Sequence, residues 1–239
     1  MILVRSLLYF GLMVLSAGLF GLVIALFGWF LSGDFSDRIA SKWGRLNLWL
    51  QRVICGLSYR IEGTENLPAG PCIIMAKHQS TWETIGLRGL LPPAQSWILK
   101  QELMRLPLFG IGLRHCKSIP IDRSAGRRAV VKVVEQGMAR LAEGRYVVIF
   151  PEGTRTAPGQ RRKYGIGGAV LAERSGVPVV PIAHNAGVFW RRRGVKKYPG
   201  EVQVAIGSAI GTDGRNAHEI IKLVETWIED RVAAMPGEA

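Results

Sequence analysis

"CIIMAKHQSTWETIGLRGLL", residues 72–91, joins a run of apolar β-formers to a segment of helical spacing through the polar positions Lys77, His78, Gln79 and Ser80. The first part reads as a buried strand and "TWETIGLRGLL" as a helix, with His78 in the turn between them and Glu83 near the first helical turn. On one continuous helix five residues amount to about 140° of rotation, and the two side chains would point apart. Across a strand-to-helix turn they can meet. Turns beyond the carboxyl ends of strands are where open α/β sheets hold ligands. A carboxylate there can accept a hydrogen bond from one imidazole nitrogen, fix the tautomer and raise the basicity of the ring, leaving the other nitrogen to take a proton. His78 and Glu83 are therefore a candidate general base and its orienting acid. The plainer alternative is a turn histidine beside a solvated glutamate that the helix dipole favours.

The same alternation continues outward from this stretch. "SWILK" (96–100), "KSIPI" (117–121), "YVVIF" (146–150), "VPVVPIA" (177–183) and "VQVAIG" (202–207) are further strand candidates, with helical segments between several of them. One helix follows Ser124 as its cap, carries Ala129, Val130, Val133, Val134, Met138 and Leu141 on one stripe, and stops at Gly144. Another runs from about Asn216 to Met235. This order predicts an α/β domain with a largely parallel sheet flanked by helices, covering residues 59–239.

Upstream the composition changes. No charged residue occurs between Arg5 and Asp34, and as a helix this segment would run about 40 Å, against a hydrocarbon core of ~30 Å. Residues 1–34 are expected to form a membrane anchor. Four glycines, at positions 11, 18, 21 and 28, leave a re-entrant hairpin open beside a single tilted span. Over residues 35–58, Ile39, Trp43, Leu46, Trp49, Leu50 and Val53 recur at helical spacing among Arg38, Lys42, Arg45 and Arg52. This reads as an amphipathic helix at the headgroup level, the alternative being a helix packed on the domain. The basic residues after the apolar segment put the domain on the cytoplasmic face, in a bacterium that of the inner membrane.

The whole chain has 239 residues, 31 Lys and Arg against 18 Asp and Glu, and a net charge of +13. Such a surface attracts anions: lipid headgroups, phosphates, nucleic acid or an acidic carrier protein. Cys55, Cys72 and Cys116 are odd in number, have no metal-ligand spacing and fit a reduced compartment. No metal or cofactor is expected, because His, Cys and acidic residues nowhere cluster at ligand spacing.

Two more strand ends carry arginine. "FPEGTR" (150–155) follows the strand at 146–150 and opens a loop rich in Arg and Lys, in which Gly153 allows close backbone approach and Arg155 offers a phosphate fork. "PIDRS" (120–124) sets Arg123 just ahead of a helix N-terminus. Taken singly, each could be a turn with a solvated arginine. His184 and the neighbours His115 and Cys116 read as structural, and "WRRRGVKK" (190–197) as a solvated loop or a contact for anionic lipid or an acidic carrier.

In this order, His78 to Glu83, Ile121-Asp122-Arg123, Phe150 to Arg155 and "VPVVPI" resemble the four motifs of the glycerolipid acyltransferase family, and within it the 1-acyl-glycerol-3-phosphate acyltransferases. The match spans roughly residues 55 to 215. Two of the motifs depart from the family pattern. In the first, Lys77 stands where an asparagine is usual and Glu83 where an aspartate is usual; in the second, Pro120 replaces a frequent aromatic residue. The resemblance implies that His78, oriented by Glu83, deprotonates the free hydroxyl of a lysophosphatidate, which attacks the thioester of an acyl-CoA or acyl carrier protein. It also implies a phosphate-binding set in which Arg123 and Arg155 hold the acceptor's phosphate and Glu152, Gly153 and Thr154 shape the loop. Partners would be membrane lipids and the acyl donor, and oligomeric state stays open. Rival readings are an acyltransferase for another lysolipid, such as a lyso-ornithine lipid, and a catalytically silent anionic-lipid binder. A nucleic-acid binder is disfavoured by the anchor and by the lack of a recognisable module.

Overall fold

The uncharged N-terminal stretch folds as one unbroken helix, α1 (Ile2–Phe27). A computed structural model of the chain describes residues 1–30 and 33–237, with the side chains at positions 33, 34 and 123 outside that description. Residues 2–27 therefore do not fold back as a hairpin. The helix is long and apolar enough to cross a membrane. It nonetheless touches the rest of the protein along most of its length. Ser6 Oγ accepts the Lys197 amide at 2.9 Å, Gln51 Nε2 donates to the Tyr9 hydroxyl at 2.8 Å, and Trp43 Nε1 donates to Ser16 Oγ at 3.2 Å. Farther along, Ile24 is buried and Trp29 meets His115 edge to face with centroids 5.0 Å apart. The opposite side, with Leu8, Leu15, Leu19, Leu22 and Leu26, is exposed.

Helix α2 (Gly33–Leu50) continues through a wider π-helical turn to Cys55, and Leu57 already begins a strand. The expected helix over 35–58 thus ends three residues early, at Gly56, whose positive φ of 68° breaks it. Its apolar stripe meets the domain only in part, through half-buried Trp43, Leu50 and Ile54. The buried face is polar and small: Ser36, Asp37, Ser41, Gly44, Asn47 and Gln51, joined by Leu48. Trp49 and Val53 face outward, 58% and 62% exposed. Gly44 lies against helix α3 (Trp82–Leu90) so closely that a Cβ there would come within 2.6 Å of the Gly89 nitrogen. Beside that contact, Asp37 receives two hydrogen bonds from Arg145, at 2.7 and 2.8 Å, and a longer one of 3.3 Å from Arg88. All three are buried, so the second and third elements are locked together by charge as well as by shape.

Among the described residues, seven strands form one sheet: β1 (Leu57–Glu62), β2 (Ile73–Ala76), β3 (Gln95–Lys100), β4 (Ile119–Ile121), β5 (Tyr146–Ile149), β6 (Val179–His184) and β7 (Gly200–Ile206). Their spatial order is β1-β7-β6-β2-β5-β3-β4. From β6 to β4 all neighbours are parallel, whereas β7 runs antiparallel to β6 and carries β1 parallel to itself. The sheet is mostly parallel, as expected, with a reversed pair at one edge. Strands β2, β5 and β6 are wholly buried, which fits their unbroken apolar runs. One face packs on α2 and α3; the other is covered by α5 (Arg127–Ala142), α6 (Gly167–Ser175) and α8 (Ala217–Ala233). Two short helices complete the fold, α4 (Phe109–His115) and α7 (Ala186–Phe189). The start of α5 differs from the sequence reading. Asp122, not Ser124, supplies the cap: it accepts the Ser124 amide and hydroxyl at 2.9 and 2.6 Å in a short 3₁₀ turn, and α5 starts after Gly126.

Candidate active site

At the carboxyl end of β2 the chain leaves the sheet, turns through Lys77 to Thr81 and enters α3. This short connection brings His78 and Glu83 together, with Nδ1 and Oε1 2.7 Å apart. The carboxylate is fully buried and held from both sides of the turn: Oε1 accepts the amides of Gln79 and Ser80 at 2.9 and 2.8 Å, and Oε2 accepts the Ser80 amide at 3.0 Å. Burial works to raise its pKa, but the hydrogen bond to His78, the two imidazoles beside it and the Ser80 amide together hold the carboxyl below its ordinary range. An ionised Glu83 is an acceptor only, so Nδ1 carries the proton and Nε2 the lone pair. Nε2 makes no hydrogen bond to any described residue, and the side chain keeps 9% of its surface exposed. The ring stacks on Phe150, with centroids 4.1 Å apart and planes 11° from parallel. This fixes the plane in which Nε2 can receive a proton.

Directly beneath lies His184, fully buried at the end of β6, with Nε2 2.8 Å from the Lys77 carbonyl and 4.0 Å from Glu83 Oε2. Its Nδ1 accepts the Ala186 amide at 3.3 Å. Burial pushes its pKa below the ordinary histidine value although Glu83 opposes the shift, so it is neutral and donates from Nε2. The sequence reading of His184 as structural agrees with these contacts. What that reading missed is that they are contacts with the turn that carries His78 and with Glu83.

The "FPEGTR" loop follows β5, the neighbour of β2, so both loops rise from adjacent strand ends. The His78 amide donates to Glu152 Oε2 at 2.6 Å and the Thr156 amide donates to the His78 carbonyl at 2.8 Å. Gly153 takes a positive φ of 68°, which a side chain would strain, and Gly153 and Thr154 are half-buried at the turn. Arg155 is half-buried on the same side as the pair and interacts electrostatically with Glu83 and with Arg192. Its buried Nε has no hydrogen-bond partner among the described residues. Burial lowers its pKa, Glu83 opposes this and Arg192 adds to it, yet a guanidinium stays charged. A half-buried guanidinium with an unpartnered Nε is suited to take an anion.

Glu152 is placed to shape the loop and does not face outward. Its carboxylate turns inward, ion-paired with buried Lys77 at 2.9 Å, and cannot offer a phosphate anything but repulsion; its role is in shaping the loop. Arg123 follows β4 at the same carboxyl edge, three strands from β2 or about 14 Å at ~4.8 Å per strand. The side chain of Arg123 lies outside the described residues. Lys77, Tyr164 and Glu229, which meet beneath this loop, were not singled out as a group by the sequence. The one signal was Lys77 itself, a cation at the end of a buried strand that demands buried acids. Cys72 is fully buried and its thiol is pushed up to about 12 by burial, so it offers no thiolate. Among the described residues no three His, Cys, Asp or Glu side chains converge on a metal-sized site.

A sequence model of the acyltransferase family matches residues 58–185, more than half of the chain and all four motifs. The chain belongs to the acyltransferase family. One similar member is the 1-acyl-sn-glycerol-3-phosphate acyltransferase of Pseudomonas aeruginosa, 44% identical over 82% of this chain and 77% of that protein. The human 1-acyl-sn-glycerol-3-phosphate acyltransferase beta is 31% identical over 72% of this chain and 62% of its own length. The fold matches the crystal structure of a 1-acyl-sn-glycerophosphate acyltransferase from Thermotoga maritima with a TM-score of 0.81, covering 97% of this chain and 95% of that one, at 20% identity.

Proposed function

We propose that this acyltransferase moves an acyl chain from an acyl thioester to the free hydroxyl of 1-acyl-glycerol-3-phosphate, forming phosphatidate. The observation that carries the reading is the 2.7 Å pair of His78 Nδ1 and Glu83, with Nε2 uncommitted and Arg155 beside it. The similar proteins named above, from a bacterium and from human, support the choice of acceptor. In the mechanism, Nε2 takes the proton of the acceptor hydroxyl while its oxygen bonds to the thioester carbonyl carbon. Glu83 stabilises the imidazolium so formed. Collapse of the tetrahedral adduct breaks the C–S bond, and the leaving sulfur takes the proton back from Nε2. Arg155, with Arg123 from the β4 strand end, holds the phosphate; the two substrates react directly and no acyl-enzyme forms.

The donor is acyl-CoA or an acyl carrier protein, both anionic like the acceptor. Membrane attachment follows the docking of α1. Its contacts from Ser6 to Ile24 cover roughly 27 Å, close to the ~30 Å of a hydrocarbon core. A bilayer-crossing α1 would drag the flank of the domain with it into the hydrocarbon. The helix therefore lies sunk into one leaflet by its exposed leucines, with Trp49 and Val53 of α2 at the same level, on the cytoplasmic face of the inner membrane. A donor-by-acceptor panel on purified protein tests the reading. Phosphatidate from 1-acyl-glycerol-3-phosphate is expected with at least one donor; acylation of another lysolipid in its place would replace the acceptor assignment.

A further inference from the structure

Lys77 occupies a position where the resembling family has an asparagine, and it points down from the turn instead of out. Its Nζ lies 2.6 Å from Glu229 Oε1 and 2.9 Å from Glu152 Oε1, with all three side chains buried. Tyr164, from the loop between β5 and α6, donates to the same Glu229 oxygen at 2.8 Å. Glu152 in turn accepts the backbone amide of His78 through its other oxygen at 2.6 Å. An unbroken chain of charge-assisted contacts thus runs from α8 through Lys77 and Glu152 to the residue whose ring serves as base. Among the described residues, Arg161, itself largely exposed, approaches Glu229 from outside, at 3.8 Å.

Glu229 lies well beyond the region matched by the family, on a helix that contributes no substrate contact in the proposed mechanism. We infer that Glu229 is a positioning residue for His78, acting through Lys77 and Glu152 to set the height of the catalytic turn against the "FPEGTR" loop. The physical reason is that two carboxylates compete for one ammonium. With Glu229 in place, Lys77 is drawn toward α8, and Glu152 keeps one oxygen for Lys77 and one for His78. Without that pull, Lys77 settles on Glu152 alone and the two loops shift relative to each other. The departure at Lys77 thereby makes the reaction depend on the last helix.

This inference rests on the proposed acyl transfer, so wild-type phosphatidate formation is measured first; its absence would remove the proposed function, whereas the variants bear on Glu229 alone. The test compares E229Q, K77N and K77N/E229Q in the full chain, with folding followed by circular dichroism. In E229Q, kcat is expected to fall about 10- to 100-fold, as for a misplaced reacting group, with KM for 1-acyl-glycerol-3-phosphate within about twofold of wild type. K77N strands two buried carboxylates, so K77N/E229Q should be about tenfold more active than K77N. Wild-type kcat in folded E229Q would overturn the inference. Should E229Q fail to fold, the comparison of K77N with K77N/E229Q decides: equal kcat in those two would overturn it as well.

Discussion

At the residue scale Glu83 and His184, the two side chains packed around the His78 turn, each carry a consequence. Replacing Glu83 by Gln keeps the shape but removes the charge that balances an imidazolium, and it allows the wrong tautomer of His78. We expect kcat in E83Q to drop about 10²- to 10⁴-fold with a small change in KM, measured by steady-state acyl transfer. An unchanged kcat would separate the carboxylate from catalysis. His184 makes a prediction in pH. Its folded pKa lies below the ordinary 6.5, so protons bind the unfolded chain more readily. The stability it supplies is present above that ordinary value and is lost as pH falls through the folded one. Melting temperature should fall more steeply between pH 7 and 5 in wild type than in H184Q, which cannot titrate. Parallel curves would contradict the neutral buried state. The meeting of His78 with Glu83 was legible in the sequence because strand, turn and helix are each encoded locally. The group formed by Lys77, Tyr164 and Glu229 was not, because its members come from three distant segments and the sequence does not say which acids answer Lys77.

Among the elements, six of the seven strands could be read from branched apolar runs. Strand β1 could not: in "LSYRIE" only Leu57 is buried, and the preceding helical periodicity runs straight into it. The reversal of β7 was equally hidden, since the loop after α7 shows no periodic sign of whether the chain crosses over or turns back. Helix α2 is instructive in the opposite sense. Its apolar stripe was plain, but the fully buried part of its docking face is mostly the polar and glycine positions that a hydrophobic pattern ignores. That face predicts a sensitive spot. A Cβ at Gly44 would meet backbone atoms of Gly89 and Ile85 at 2.6 to 2.9 Å, and neither helix can yield locally. G44A should lower unfolding free energy by about 1 to 3 kcal/mol in denaturant titration. A neutral result would mean that α2 is free to move on α3.

For the molecule as a whole, the proposed function requires the reaction centre to be held at the level of a lipid headgroup. The exposed side of α1 provides depth, the docked side provides registry, and the net charge of +13 supplies attraction to an anionic surface. Leu15 and Leu19 project from the free side, 69% and 58% exposed, and belong to neither core cluster. L15E/L19E should keep the fold yet bind vesicles of anionic phospholipid at least about tenfold more weakly in a sedimentation assay, since burial of each leucine is worth ~1.5 to 3 kcal/mol. Equal binding would move the membrane-facing surface elsewhere.

The central claim is that the lone pair of His78 Nε2 removes the acceptor proton. The most direct measurement is the rate of labelled phosphatidate formation from 1-acyl-glycerol-3-phosphate and an acyl thioester by wild type and H78A, both shown to be folded. Loss of at least about 100-fold in kcat is predicted. A variant that turns over at the wild-type rate would contradict the account.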